Sequence, residues 1–124
     1  MKDFYSEFTL NGKKYLLAFD LNVMEAIQAE YKTIENWSKL TNGDTTGEGD
    51  AKAILFGFTE MLNEGIEIMN EQNGTDEKPL TKKQVGRILT QYGMENTAAK
   101  LAETITRSSK DEEKNVRSAF PDVQ

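Results

Sequence analysis

The sequence predicts an α+β fold, mostly α, with an N-terminal β-hairpin followed by four to five helices packed in a small bundle. Two strand-like runs flank an Asn11-Gly12 turn near the start of the chain. A stretch from about Asp50 to Asn73 carries apolar side chains at helical spacing. A capping-box pattern, Thr81 with Gln84, then begins another helix. Together these features indicate a hairpin that is followed by helices.

The hairpin register follows from its turn. Asn-Gly tolerates the positive φ angles of a two-residue type I′ turn, so Phe8 should face Tyr15 across the ribbon. That register places most large apolar side chains of the hairpin on one face: Phe4, Phe8, Leu10, Tyr15, Leu17 and Phe19. A lone two-stranded ribbon is marginal in water, so the chain's own helices or a neighbouring subunit must cover this face.

Capping residues set the predicted helix boundaries. We expect a first helix that begins near Asp20 or Asn22, with Asn22 and Glu25 as its cap, and a short second helix over 34–40 that is capped by Thr33. A third helix should run from Asp50 to a left-handed Gly74, and a fourth from Thr81 to Gly93. The last helix should run from near Glu95 to about Arg107. Gly57 and Gly65 lie inside the third helix, where each costs about 1 kcal/mol relative to alanine. They are expected to let another helix approach closely.

The length and the tail composition predict one domain. The chain has 124 residues, the usual size of a single domain, and residues 110–114 are all charged. We therefore predict a single domain over 1–108 and a flexible tail over 109–124. The start of the chain has no apolar signal core, and no apolar run approaches the ~20 residues that a membrane helix needs, so neither a secretory leader nor a membrane span is expected.

Composition argues against most catalytic chemistry. The chain has no cysteine and no histidine, which removes thiolate nucleophiles, imidazole bases and nearly all zinc sites. The net charge of −6 disfavours nucleic acid as a partner, because the basic residues form only one small cluster, Lys82, Lys83 and Arg87 with Lys78 just ahead. The row Glu60, Glu64, Glu67 and Glu71 is interpreted as a solvated helix face. The glycine-bearing loop over 43–50 matches neither an EF-hand nor a phosphate loop.

No catalytic, cofactor-binding or metal-binding residue is predicted, and no small-molecule substrate. Trp37, Met61 and Met69 are interpreted as core. Phe56 lies among Glu60, Asn63 and Glu67 on the polar side of its helix, which fits either an isolated exposure or an interface. Phe120 is a weaker candidate for a docking anchor. The residues predicted to contact a partner are therefore Phe8, Tyr15, Leu17 and Phe56.

The order of elements resembles a known family. A hairpin of the form Phe8-Thr9-Leu10-Asn11-Gly12-Lys13-Lys14-Tyr15 leads into the acidic-capped segment 19–27, then into 53–58 (Ala-Ile-Leu-Phe-Gly-Phe) and the helix start at 80–86 (Leu-Thr-Lys-Lys-Gln-Val-Gly). This order is similar to the small tail assembly chaperones of long-tailed bacteriophages and prophages, and to the related tail component of gene transfer agents. The resemblance covers roughly residues 8–107.

The resemblance implies a non-catalytic function. Such chaperones bind the long, helical tape-measure protein in the bacterial cytoplasm before the tail tube polymerises, act as oligomers, and are absent from the finished virion. A structural minor tail component of a phage-like particle is an alternative. So is a small helical adaptor or regulator of a bacterial cytoplasm unrelated to phage. An enzyme is the least favoured reading, because nothing in the sequence places two acids in an apolar pocket.

Overall fold

The structure, a computed structural model, describes residues 5–42 and 49–119, and only the backbone for 107–119. In chain order the elements are β1 (Tyr5–Leu10), β2 (Lys13–Ala18), α1 (Leu21–Tyr31), α2 (Ile34–Asn42), α3 (Ala51–Asn73), α4 (Lys82–Tyr92) and α5 (Met94–Ala119). The predicted fold class, a hairpin followed by helices, is confirmed. Within the described ranges no helix is long and apolar enough to cross a bilayer.

The hairpin has the register that its turn predicts. Phe8 pairs with Tyr15, and Leu10 pairs with Lys13 beside the turn. Asn11 and Gly12 both have positive φ, 53° and 80°, as a type I′ turn requires. Phe4 lies outside the described residues, so its place on the apolar face stays a prediction.

The chain's own helices cover the apolar face of the hairpin. Phe8 is stacked between Tyr15 and Tyr92, with ring centroids 5.2 and 4.3 Å away. Leu17 has no exposed surface, and it joins the core that α1, α3 and α4 build around Phe58. The sequence left two alternatives for what covers this face, and the structure shows that the helices of this chain cover it.

Both edges of the ribbon are covered at one cross-strand pair, Glu7 and Leu16. In this register the two residues turn their carbonyl groups outward. The Leu16 carbonyl meets α3 at Gly65, while the Lys100 ammonium of α5 donates to the Glu7 carbonyl at 2.9 Å. At this pair, the carbonyl groups that a further strand would use are thus already in contact with this chain.

Most predicted helix caps are confirmed, and one is wrong. Asp50 caps α3, Gly74 ends it in the left-handed conformation, and Thr81 and Gln84 form a capping box on α4. On α1 the N-cap is Asp20, whose carboxylate accepts from the Val23 amide, and not Asn22. Asn22 is already inside the helix, and its side chain donates to Glu64 on α3.

The two glycines inside α3 are required for different structural reasons. A Cβ on Gly57 would lie 2.3 Å from the Trp37 ring on α2, so this glycine admits another helix as predicted. A Cβ on Gly65 would lie 2.3 Å from the Leu16 carbonyl oxygen, so this glycine admits a strand and not a helix. α3 is therefore packed closely on α2 through its first half and on β2 through its second.

Two asparagines hold the connection between α3 and α4. Asn63 donates to the Leu80 carbonyl at 3.0 Å and accepts from the Leu80 amide at 2.7 Å. Two helical turns later, Asn70 makes the same two-way contact with the backbone of Glu77, at 2.9 and 3.0 Å. These contacts fasten the connector along α3 and so fix where α4 begins.

The last helix is longer than predicted. The sequence places its end near Arg107, but the backbone of α5 is helical to Ala119. Charged residues with few apolar neighbours do not prevent a helix, because lysine and glutamate have high helix propensity. The predicted tail thus overlaps this helix through residue 119. Residues 120–124, including the candidate anchor Phe120, lie outside the described residues.

Candidate functional site

The four predicted contact residues do not form one surface. Phe8 and Leu17 are core residues, 5% and 0% exposed, so in this structure they offer no surface to a partner. The sequence left open whether this chain or a neighbouring subunit covers the hairpin face, and in the structure Tyr92 and the helices of this chain cover it. Tyr15 is half-buried, and the Lys13 ammonium lies 5.3 Å from its ring centroid.

Phe56 is half-buried and has a partner within the chain. Its ring meets the Tyr31 ring edge-on, with centroids 5.6 Å apart. The Tyr31 hydroxyl is buried and has no hydrogen-bond partner among the residues that the structure describes. Burial raises the pKa of Tyr31, and the nearby Asp50 carboxylate adds to the shift. Phe56 thus closes a small aromatic contact between α1 and α3. Its role in binding a partner stays a prediction.

The residues interpreted as core divide in two. Trp37 and Met61 have no exposed surface, and the Trp37 indole N–H donates to the Ala53 carbonyl at 2.9 Å. Met69 is 39% exposed, so its interpretation as core is wrong. It lies in the last two turns of α3, beyond Gly65, where α3 runs past the end of the core.

An open apolar surface lies between the first half of α3 and α4. This α3–α4 groove has a volume of about 770 Å³. It is lined by Ala51, Ile54, Leu55, Lys82, Lys83, Gly86, Arg87, Leu89, Thr90, Gln91 and Met94. Met94, at the start of α5, is 57% exposed although it is a large apolar side chain. A groove with apolar side chains between two helices is a surface on which a third helix can pack.

Charges on the α3–α4 groove have one sign. Lys82, Lys83 and Arg87 line it on the α4 side, and no acidic residue is among the described residues that line it. The whole chain has 21 acidic and 15 basic residues, so this positive edge runs against the overall balance. On a chain of net charge −6, so small a basic cluster disfavours nucleic acid as the partner. Its position beside apolar side chains suits a polypeptide better.

A second groove runs between β2 and the end of α3. Leu16, Ile66 and Met69 line it, with the α3–α4 connector on its far side. The Lys13 ammonium reaches the Glu77 carboxylate at 3.4 Å, which links the hairpin to the connector. Both side chains are more than half exposed, so this ion pair contributes little to stability.

One carboxyl pair was not foreseen from the sequence. Asp20, at the start of α1, hydrogen-bonds to Glu64 of α3, and this contact together with partial burial raises the pKa of Glu64 to about 7. The amide of Asn22, 2.9 Å from Glu64 Oε2, acts in the opposite direction. From the sequence, Glu64 was interpreted as part of a solvated row, because a helical wheel describes one helix and does not show that Asp20 at the start of another helix lies beside it.

The Glu64→Gln variant should lose less stability than the wild type as the pH rises. A folded-state pKa near 7, above the ordinary 4.5, means that the folded protein holds this proton more tightly than the unfolded chain. Glu64 therefore stabilises the fold fully below pH 4.5 and loses that contribution as the pH rises through 7. The carboxyl is partly in water, so the effect is about 1 kcal/mol and well below the full shift.

Thermal unfolding across this pH range measures the effect. The side-chain amide that Glu64→Gln introduces can still donate to Asp20, so the variant should keep its stability where the wild type loses it. Glu71→Gln, on an exposed position two turns further along α3, is the matched control and should retain the wild-type pH dependence. Equal pH slopes in the wild type and in Glu64→Gln would contradict the shared proton.

The described residues show no group of three His, Cys, Asp or Glu side chains that could hold a metal ion. Neither Asp20 nor Glu64 lines either groove. Comparison of the chain with protein-family models, curated proteins and solved structures finds no match. The α3–α4 groove is accordingly the candidate site on geometric and electrostatic grounds alone.

Proposed function

We propose that this protein is a non-catalytic chaperone of tail assembly in a long-tailed phage or prophage, which binds the tape-measure protein in the host cytoplasm. The α3–α4 groove is the observation that carries the proposal. It combines apolar side chains from the first half of α3 with Leu89 of α4, next to a 57% exposed Met94. A tape-measure protein is a long helical chain whose apolar stripes need cover until the tube forms around it.

The proposed contacts differ from those predicted from the sequence. Phe8 and Leu17 stabilise the hairpin from inside, so the binding surface moves from the hairpin to α3 and α4. The remainder of the surface supports the same function. A net charge of −6 on a chain of this size helps to keep the protein soluble although the α3–α4 groove is open.

Co-expression with the tape-measure protein from the same gene cluster tests the proposal. We expect a larger share of the tape-measure protein in the soluble fraction, and co-purification with this chain. An unrelated acidic helical protein of similar size serves as the control for non-specific effects of expression. Unchanged solubility would contradict the chaperone function.

Mass spectrometry of purified particles separates the chaperone from a structural component. The chaperone should be missing from finished particles, because its place on the tape-measure helices is taken by the tail tube. Its recovery at a fixed ratio to the tube protein would favour the structural tail component instead.

A further inference from the structure

Gly86, on α4, has no reason for being glycine within the described part of this chain. Of the three glycines inside the described helices, Gly57 and Gly65 lie against the chain itself, where a Cβ would clash at 2.3 Å. A Cβ on Gly86 would have only Leu55 Cδ2 near it, at an ordinary 3.7 Å. Glycine in a helix costs about 1 kcal/mol relative to alanine. The isolated chain therefore carries this cost at Gly86 without any described contact that requires it.

Lys82 and Lys83 are also unfavourable in the isolated chain. They occupy the first turn of α4, which contains no acidic residue. The positive end of the helix dipole lies there, so cations at these positions destabilise the helix. Among the residues whose side chains the structure describes, neither lysine nor Arg87 makes an ion pair that would offset this.

All of these residues line the α3–α4 groove. A bare backbone at Gly86 allows another helix to approach α4 closely, as Gly57 allows α2 to approach α3. Cations beside an apolar channel, on a chain of net charge −6, attract a segment with carboxylates beside its apolar ridge. Local features that weaken a free protein are typical of surfaces that bind a partner.

We propose that the α3–α4 groove binds an amphipathic helix whose apolar ridge crosses α4 at Gly86 and whose acidic side chains pair with Lys82, Lys83 and Arg87. This inference rests on the proposed function for the identity of the partner but not for its chemistry. The apolar anchors of the helix lie toward Met94, and its carboxylates lie toward the start of α4, because the lining cations are concentrated at that end.

Two synthetic helical peptides of about 20 residues test the charge requirement. Both carry the same leucine ridge, flanked by glutamate in one and by lysine in the other. Titrated with the full chain and followed by fluorescence anisotropy, the glutamate peptide should bind at least about tenfold more tightly, with a strong dependence on salt. Equal affinity of the two peptides, or no binding of either, would overturn the proposal.

Matched variants locate the site. Lys82→Gln, Lys83→Gln and Arg87→Gln together should weaken binding of the glutamate peptide about tenfold or more. Lys14→Gln, Lys32→Gln and Lys39→Gln together remove the same charge at exposed positions away from the α3–α4 groove and should leave binding near wild type. Equal weakening by both sets would show that only net charge matters, which contradicts a specific site.

Gly86→Ala gives the sharpest test, since stability and binding should change in opposite directions. The variant should unfold at a higher temperature than the wild type and bind the glutamate peptide several-fold more weakly. Higher stability with unchanged affinity would overturn the proposal. So would a self-associated wild type that dissociates on the Gly86→Ala change and binds neither peptide, because the occupant would then be a second copy of this chain.

The same variants separate this inference from the proposed function. If the tape-measure protein stays insoluble while the glutamate peptide binds at the α3–α4 groove, the chaperone function fails and the chemistry of the groove stands. If the wild type and Gly86→Ala solubilise the tape-measure protein equally, the chaperone function stands and the groove is not its site.

Discussion

Gly65→Ala should lower the free energy of unfolding by about 3 kcal/mol or more. The new methyl group would lie 2.3 Å from the Leu16 carbonyl oxygen and 3.0 Å from its carbon. Both are backbone atoms of a strand that is paired to β1 on its other side, so Leu16 cannot turn away as a flexible side chain would. The hairpin and α3 must move apart, which opens the core around Leu17. A loss of this size is a large part of the roughly 5–15 kcal/mol typical of a domain.

Gly86→Ala is the matched control for this change. It places the same methyl group in a helix, but at 3.7 Å from its nearest neighbour, so only the gain in helix propensity remains, up to about 1 kcal/mol. Chemical denaturation followed by far-UV circular dichroism measures both variants. If Gly65→Ala were as stable as Gly86→Ala, the close packing of β2 on α3 would be wrong.

The hairpin shows why much of this fold is predictable from local sequence. Two turn residues, Asn11 and Gly12, determine the register, because few residues other than glycine and asparagine adopt two successive positive φ angles. The capping residues Asp50 and Thr81 fix helix starts for a similarly local reason, since their side chains bind backbone amides two or three residues ahead.

Features that depend on distant residues were not predictable. Asn22 resembles an N-cap in the sequence, but Asp20 takes that role and Asn22 binds Glu64, 42 residues away. The two-way contact of Asn63 with Leu80 has no periodic signature either, because an asparagine in mid-helix looks merely polar. Only the packed chain shows which polar side chains meet.

The candidate site illustrates the same limit. Apolar patterning identified Phe8 and Leu17 correctly as one face, but patterning cannot tell whether that face is covered by the chain itself or by a partner. The basic cluster at Lys82, Lys83 and Arg87 was visible in the sequence. In the fold, α3 places apolar side chains beside this cluster, a proximity that the sequence alone does not reveal.

Gly57→Ala should also cost about 3 kcal/mol, and the cause is a side chain and not a backbone. The methyl group would lie 2.3 Å from Trp37 Cζ2. The indole has no room to rotate, since it is fully buried and its N–H is bound to the Ala53 carbonyl at 2.9 Å. Overpacking in this place should push α2 away from α3.

A double-mutant cycle separates this clash from a general effect of the substitution. Trp37→Phe alone removes the hydrogen bond to Ala53 and leaves a cavity, which should cost about 2 kcal/mol. The smaller ring lacks the Cζ2 edge that meets the methyl group, so Gly57→Ala should be much less damaging in the Trp37→Phe background. We expect the double variant to be more stable than the sum of the two losses by about 1–2 kcal/mol. Additive losses, measured by denaturation followed by circular dichroism, would show that Gly57 is glycine for a reason other than the indole ring of Trp37.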